Sequence, residues 1–426
     1  MYSATLNPAA KKNVVLNKFA LLVLLFFGVF DTARSFTVIP AYFGYLKDIA
    51  IFFLFFQLLF LHFSIPRKKK ILLPGIICIG IFSFNIIRCF AQNIFYLESL
   101  IYQIKNMEFY LLFIIFFNLK KIVPSWNVDS FFRRYLFWAM ALIFVNVVGC
   151  SIPNPICYKM IGRGVYRGTM YAGRFSLGQP AMATFPILLA FLHFITRKKL
   201  TYAAFGGAIL CLTSIFISTA LTAYVIIAAM IVCVLFISLK QKIFWRKNLL
   251  RIIIGLLIIL VVMSLFGERI SIRSDFLDLG LLERRVNSMV GVAGVSDASM
   301  NIRSEYQKII LKSISTPFKL LWGLGPNYYI NLHFLTIPIE NTYYDILAKC
   351  GVLGVFAHLI FLTSFCIDFL QDFFRSKDFS RFLIGLGIFL VFLLYGWTIP
   401  IFGTFTMAFG LALYMAIWYN KGDENV

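Results

Sequence analysis

Residues 249–266 read LLRIIIGLLIILVVMSLF and residues 382–395 read FLIGLGIFLVFLLY. With their flanks these runs approach the ~20 apolar residues with which an α-helix crosses a hydrocarbon core about 30 Å thick. Core helices of soluble proteins are rarely so uniform, because one of their faces meets water. The composition extends this reading to the whole chain: 61% of its 426 residues are hydrophobic and 14% are charged, where a soluble domain carries roughly 25% charged residues. A lipid bilayer is the expected solvent, and the expected fold is an all-α polytopic membrane protein.

The formal charge of +22 would point to nucleic acid in a soluble protein. Here most Lys and Arg stand in short clusters between the apolar runs, where basic residues orient a membrane protein by staying cytoplasmic. The clusters are Lys11/Lys12/Lys18, Arg67 to Lys70, Lys120/Lys121 with Arg133/Arg134, Arg197 to Lys199, Lys240 to Arg251, Arg375 to Arg381, and Lys421. Placing all of them inside requires every second connection to be cytoplasmic. Spans near 17–37, 45–63, 71–90, 94–119, 131–151, 179–195, 201–217, 218–238, 249–266, 341–367, 382–397 and 403–419 meet that demand. They make about twelve transmembrane helices with both termini cytoplasmic. Phe19 to Phe30, following three lysines, also resembles the short apolar core of a signal peptide. A two-helix hairpin accounts for the next span more simply. The eight cysteines show no C-x-x-C spacing. Cys150 and Cys157 alone fall close together on the oxidising side, and two unpaired small hydrophobic residues are the simpler reading of them.

Residues 1–426 read as a single membrane domain without internal repeats, and two outer connections are long enough to carry function. The first, 152–178, holds Lys159, Arg163, Arg167 and Arg174 without any Asp or Glu. A basic excess on the side that disfavours it calls for an anionic partner. The second, 267–340, lies between the ninth and tenth helices and carries eight basic residues against seven acidic ones. Near 301–316 it places Ile302, Tyr306, Ile309, Ile310, Ser313 and Ile314 at three- and four-residue spacings, which predicts an amphipathic helix ended by Pro317. Trp322-Gly323-Leu324-Gly325-Pro326-Asn327 then reads as a tight turn. Tyr328, Tyr329, Tyr343 and Tyr344 flank the re-entry into the membrane, either as an interfacial aromatic belt or as a platform on which sugars stack.

Metal chemistry finds little to work with. His62 and His193 fall at inner helix ends, His358 falls within a helix, and His333 alone lies on the outer side, so the histidines build no metal site. Asp275 and Asp278 are spaced D-x-x-D, and the D-x-D that carries a divalent ion in many sugar transferases is missing. No metal or cofactor is expected. Phosphate charge then falls to arginine, whose planar fork makes two parallel charge-assisted hydrogen bonds. Arg163, Arg167, Arg174, Arg285 and Arg303 are the candidates, with salt bridges to a loop's own acids or lipid headgroup contacts as the alternative use; the first connection has no acids, which favours function there. Glu340 stands at the re-entry point beside Asn341. Partial desolvation there raises a carboxylate toward the range of a useful general base. A carboxylate at a helix N-terminus is also favoured by the helix dipole alone.

Glu340-Asn341, followed nine residues later by Gly351-Val352-Leu353-Gly354, resembles the signature of O-antigen ligases and related polymerases. Arg303 to Tyr306, Pro317, Gly323-Leu324-Gly325-Pro326 and Gly173-Arg174-Phe175-Ser176-Leu177-Gly178-Gln179-Pro180 are similar to stretches these enzymes carry. The motifs are short. In ligases the signature begins with His, where this chain has Glu340, and Ser218-Thr219-Ala220-Leu221 lacks the Arg that often follows Ser there. The resemblance therefore leans to the Wzy-type O-antigen polymerase. It implies a membrane-embedded glycosyltransferase of GT-C type in the bacterial inner membrane with a periplasmic active site. The implied donor is an undecaprenyl-diphosphate-linked oligosaccharide. The implied acceptor is a second such repeat unit, with a flippase and a chain-length regulator as partners. Glu340 would act as the base, the five arginines would face the diphosphate, and Asn341, Tyr328, Tyr343 and His333 would contact sugar. A ligase with lipid A core as acceptor is the first alternative. A lipid-linked oligosaccharide flippase is the second, disfavoured by the long outer loop and the absence of repeated halves.

Overall fold

The computed structural model describes residues 8–30, 41–60, 71–91, 97–151, 298–325, 341–376, 378–398, 401–403 and 405–420, with short helical pieces between 206 and 232. All regular structure among these residues is helical. The expected helices 179–195 and 249–266, the basic connection 152–178, and residues 267–297 and 326–340 of the long connection lie outside the described residues.

Two helices form the centre. α4 (Leu97–Phe117) is buried at every position from Met107 to Phe116. α10 (Phe405–Asn420) is buried from Phe405 to Tyr419. Burial on every side means that both are surrounded by other helices, and Glu108 in this stretch of α4 is buried with its apolar neighbours. The two pack together through rings such as Phe116 and Phe409, 5.1 Å apart and nearly perpendicular. Such a pair contributes about 0.5–1.5 kcal/mol beyond the area it covers. Around this pair stand α1 (Pro8–Phe30), α2 (Tyr45–Phe60), α3 (Leu72–Ala91), α5 (Val128–Ser151), α8 (Thr342–Ser376) and α9 (Phe379–Leu390). A π-helical turn, Val391–Tyr395, and Gly396–Thr398 prolong α9. Two further helices, α6 (Ala298–Ser313) and α7 (Pro317–Trp322), precede α8 and pack on it.

These helices lie where the apolar runs predict them, with the ends adjusted. α1 begins at Pro8 rather than near residue 17, because proline is suited to the first helical turn and the lysines that follow are good helix formers. α8 runs past residue 367 to Ser376, and the Tyr419 hydroxyl donates to Asp368 in this extension. Pro317 opens α7 instead of closing α6, with Thr316 as N-cap accepting from the Lys319 amide.

α3 and α8 meet beside the first half of α4, as the contacts of Asn85, Lys349 and Asn106 show. The opposite end gathers the other helix ends. Asn17 of α1 donates to Ile122 O just beyond α4, Phe113 meets Tyr419, and Arg381 bonds Trp418 O and Asp372. Lys120, Lys121, Arg375 and Arg381 therefore share one end of the bundle, and both the first and last described helices have a terminus there.

The outward faces are apolar. Phe19, Phe26, Ile49, Phe60, Ile87 and Phe356 are exposed, while Lys47, Arg88, Glu108, Asp345, Lys349 and His358 are buried. Among the described residues one helix, Thr342–Ser376, is long and apolar enough to cross a membrane. Shorter apolar helical stretches are Asn13–Val29, Leu72–Arg88 and Arg381–Tyr395.

Candidate functional site

The first turns of α8 form a separate unit, because Gly351 at φ 67 and ψ −166 breaks the helix behind them. Asn341 caps this stub: its Oδ1 accepts from the Tyr343 and Tyr344 amides at 2.9 and 3.0 Å. A cap of this kind is worth about 1 kcal/mol. Its Nδ2 donates to Trp397 O at 2.9 Å, and Thr342 Oγ1 accepts from the Ile401 amide at 2.8 Å. The Tyr343 hydroxyl donates to Phe392 O at 3.0 Å, in the π-helical turn. The stub is thus tied to the end of α9 and to the chain leading into α10.

A break in a helix frees carbonyls that must find other donors when buried. Two donors come from different parts of the chain. The Leu324 amide donates to Ala348 O at 2.8 Å, and Asn85 Nδ2 donates to Lys349 O at 3.1 Å. The first requires two backbones to touch. A Cβ on Gly323 would lie 2.5 Å from the Cys350 and Gly351 amide nitrogens, and both Gly323 (φ 73) and Gly351 (φ 67) are left-handed. Only glycine takes this conformation without steric cost. The turn after α7 and the break in α8 are therefore two halves of one contact.

Side chains on both flanks hold it. Arg88 Nη1 donates to Trp322 O and to Asn85 Oδ1, each at 2.9 Å, and the guanidinium lies 5.1 Å from the Phe318 ring centre. Trp322 stands on Phe84 at 4.7 Å. On the other flank Ile310, Ile314, Leu324 and Ala348 form a small apolar cluster, with Ile309, Tyr344 and Leu347 packed against it. α6, which carries Arg303, is fixed by this cluster to the stub that begins just after Glu340.

Beneath the stub runs a set of buried charges. Lys349 Nζ donates to Asp345 Oδ2 at 2.7 Å and to Asn106 Oδ1 at 3.1 Å. Lys47 Nζ reaches Glu108 Oε1 at 2.7 Å and Asp48 Oδ1 at 2.6 Å, and lies 4.6 Å from the Phe405 ring centre. Lys47, Arg88 and Lys349 balance Asp48, Glu108 and Asp345 in net charge, which a low-dielectric interior requires. Deeper along α4, the Tyr110 hydroxyl meets His358 Nδ1, and His358 Nε2 has no hydrogen-bond partner among the described residues.

Of the site residues expected from sequence, Arg303, Asn341 and Tyr343 fall on or beside this stub and its docked helix. Glu340, Arg163, Arg167, Arg174, Arg285, Tyr328 and His333 lie outside the described residues. Asn341 takes the capping position, one residue beyond Glu340, so the cap of α8 does not need the glutamate. The sequence reading passed over Lys47, Asn85, Arg88, Asn106, Glu108, Asp345 and Lys349. Their signal was available, because ionisable residues inside apolar runs mark functional positions by default. Among the described residues no three of His, Cys, Asp and Glu gather as metal ligands. No family model matches the chain, and no curated protein matches it.

Proposed function

We propose that the chain is a multi-pass glycosyltransferase of the bacterial inner membrane that polymerises undecaprenyl-diphosphate-linked oligosaccharide on the periplasmic side. The observation that carries the reading is the contact between Gly323-Leu324-Gly325 and the break at Gly351. It joins two motifs of the O-antigen ligase and polymerase resemblance and brings the helix of Arg303 to the stub that follows Glu340. Apolar outward faces around buried charges support a bilayer as the solvent.

In this reading Glu340 takes the proton from an acceptor sugar hydroxyl, whose oxygen attacks the anomeric carbon of the donor. The bond from that carbon to the diphosphate oxygen breaks, and undecaprenyl diphosphate leaves. Arg303, with Arg163, Arg167, Arg174 and Arg285, offsets the charge growing on the leaving group. Sugars would lie along Tyr328, Tyr343, Asn341 and His333. Asn341 and Tyr343 already spend polar groups on the fold, which limits them to contacts through their remaining surface.

Glu340→Gln is expected to reduce chain extension about 10²–10⁴-fold, the usual contribution of a general base. Arg303→Ala is expected to abolish it with the protein still present in the membrane. Polymer of wild-type length in both variants overturns the assignment. Turnover of lipid-linked donor by purified protein in detergent, where no sealed compartment exists, separates an enzyme from a flippase. In a deletion strain, single repeats still attached to core support the polymerase; loss of all attached polysaccharide supports a ligase.

A further inference from the structure

The end of the bundle opposite the stub carries a second feature. α4 ends in Phe117, a helical turn Leu119–Ile122 follows with Lys120 and Lys121 exposed, and α5 begins at Val128 with Arg133 and Arg134 exposed. Asp129 is the single acid between residues 118 and 150. Arg134 is not a loose side chain: its guanidinium lies 4.5 Å from the centre of the Trp126 ring, which in turn packs on Phe131 at 6.0 Å.

What lies next on α5 selects the partner. Phe137 and Trp138 follow Arg133 and Arg134 by four residues each, hence on the same face and about 6 Å further along the helix. They are 67% and 48% exposed, and their rings meet edge to face at 5.3 Å. Phe144, a further two turns along that face, is also exposed. The surface is therefore cationic at its rim and aromatic below it. A nucleic acid or an acidic peptide would match the rim and leave the aromatics bare. An amphiphile with an anionic head and a hydrocarbon tail matches both.

We propose that Arg133 and Arg134, assisted by Lys120 and Lys121, bind the phosphate of an anionic phospholipid whose acyl chain runs along Phe137 and Trp138. The inference rests on the membrane reading above and not on the glycosyltransferase reading. Asn106 beneath the stub and Lys120 are about 20 Å apart along the α4 direction, so the lipid site is remote from the proposed chemistry. Bidentate guanidinium–phosphate bonds supply the head contact, and ring-to-chain packing supplies the rest.

The test is native mass spectrometry of the full chain in detergent, with phosphatidylglycerol, phosphatidylcholine or inorganic phosphate added. Phosphatidylglycerol is expected to stay bound about tenfold more than phosphatidylcholine. The Arg133→Gln/Arg134→Gln variant is expected to lose that preference, and Arg133→Lys/Arg134→Lys to keep part of it. Phe137→Ser/Trp138→Ser is expected to weaken retention without restoring phosphatidylcholine. Equal retention of the two lipids by the wild-type chain overturns the proposal, and that measurement needs no variant to fold. Displacement of the lipid by millimolar inorganic phosphate also overturns it, because the tail would then contribute nothing. Loss of sugar transfer with lipid selectivity intact would bear on the glycosyltransferase reading alone.

Discussion

Lys349 and Asp345 sit one turn apart on the stub of α8, both nearly sealed from solvent, and Asn106 on α4 accepts from the ammonium. A buried pair of this kind contributes little against a well-packed apolar replacement, but removing one partner leaves the other's charge buried without its counter-ion. Lys349→Met is therefore expected to cost about 3–5 kcal/mol. The double variant Asp345→Leu/Lys349→Met is expected to recover much of it. Thermal unfolding of the purified protein in detergent measures both, and a double variant as unstable as the single one would rule out this account. Asn341 gives a finer probe. Asn341→Ala is expected to cost about 1 kcal/mol through the lost cap, and Asn341→Asp to restore the cap while losing the bond to Trp397 O. If the stub positions Glu340, chain extension follows the cap: reduced in Asn341→Ala and largely retained in Asn341→Asp.

Among the elements, the decisive contact is the one between the turn after α7 and the break in α8. Gly351→Ala and Gly323→Ala each place a side chain at positive φ, at about 1–3 kcal/mol for the conformation alone, and each drives a Cβ into backbone at 2.5 Å. α7 is expected to lift from α8 in both. Faster protease cutting between residues 313 and 341 than in the wild type reads this directly, and unchanged cutting would mean that the two backbones do not meet. The helices that carry this contact were legible from apolar runs and from the three- and four-residue spacing of Ile309, Ile310 and Ile314. The break was not legible. Gly351 lies between Cys350 and Val352, three residues before Gly354, which stays helical, and what makes Gly351 the break is a partner, Gly323, distant in sequence. The charged set was hidden for a different reason. Lys47 stands beside Asp48 and Lys349 one turn from Asp345, so those pairs are local; only tertiary packing shows that Glu108 meets Lys47 and that Asn106 meets Lys349. The role of Pro317 was misjudged because proline marks both ends of helices, and Thr316 as N-cap decides between them.

For the whole molecule, charge asymmetry and helix packing converge on one orientation. Lys120, Lys121, Arg375 and Arg381 share the end where α4, α8 and α10 finish. The stub, Arg88 and the docked α6 and α7 share the other. Basic residues are retained on the cytoplasmic side, so the second end is the one expected to face the periplasm. Single cysteines in an otherwise cysteine-free chain test this. Ser125→Cys, between α4 and α5, and Ser376→Cys, at the end of α8, are both exposed positions. They are expected to react with a membrane-impermeant maleimide only after the inner membrane is opened. Thr169→Cys and Ser288→Cys, in the two long connections, are expected to react once the outer membrane alone is permeable. Labelling of Ser125→Cys and Ser376→Cys on opposite sides would contradict the parallel course of α4 and α8, along which Asn106, Tyr110 and Phe113 meet Lys349, His358 and Phe361 in turn. Labelling of both from outside would invert the molecule and place Glu340 in the cytoplasm. A periplasmic polymerase could not survive that result, whereas the packing of the helices would stand unchanged.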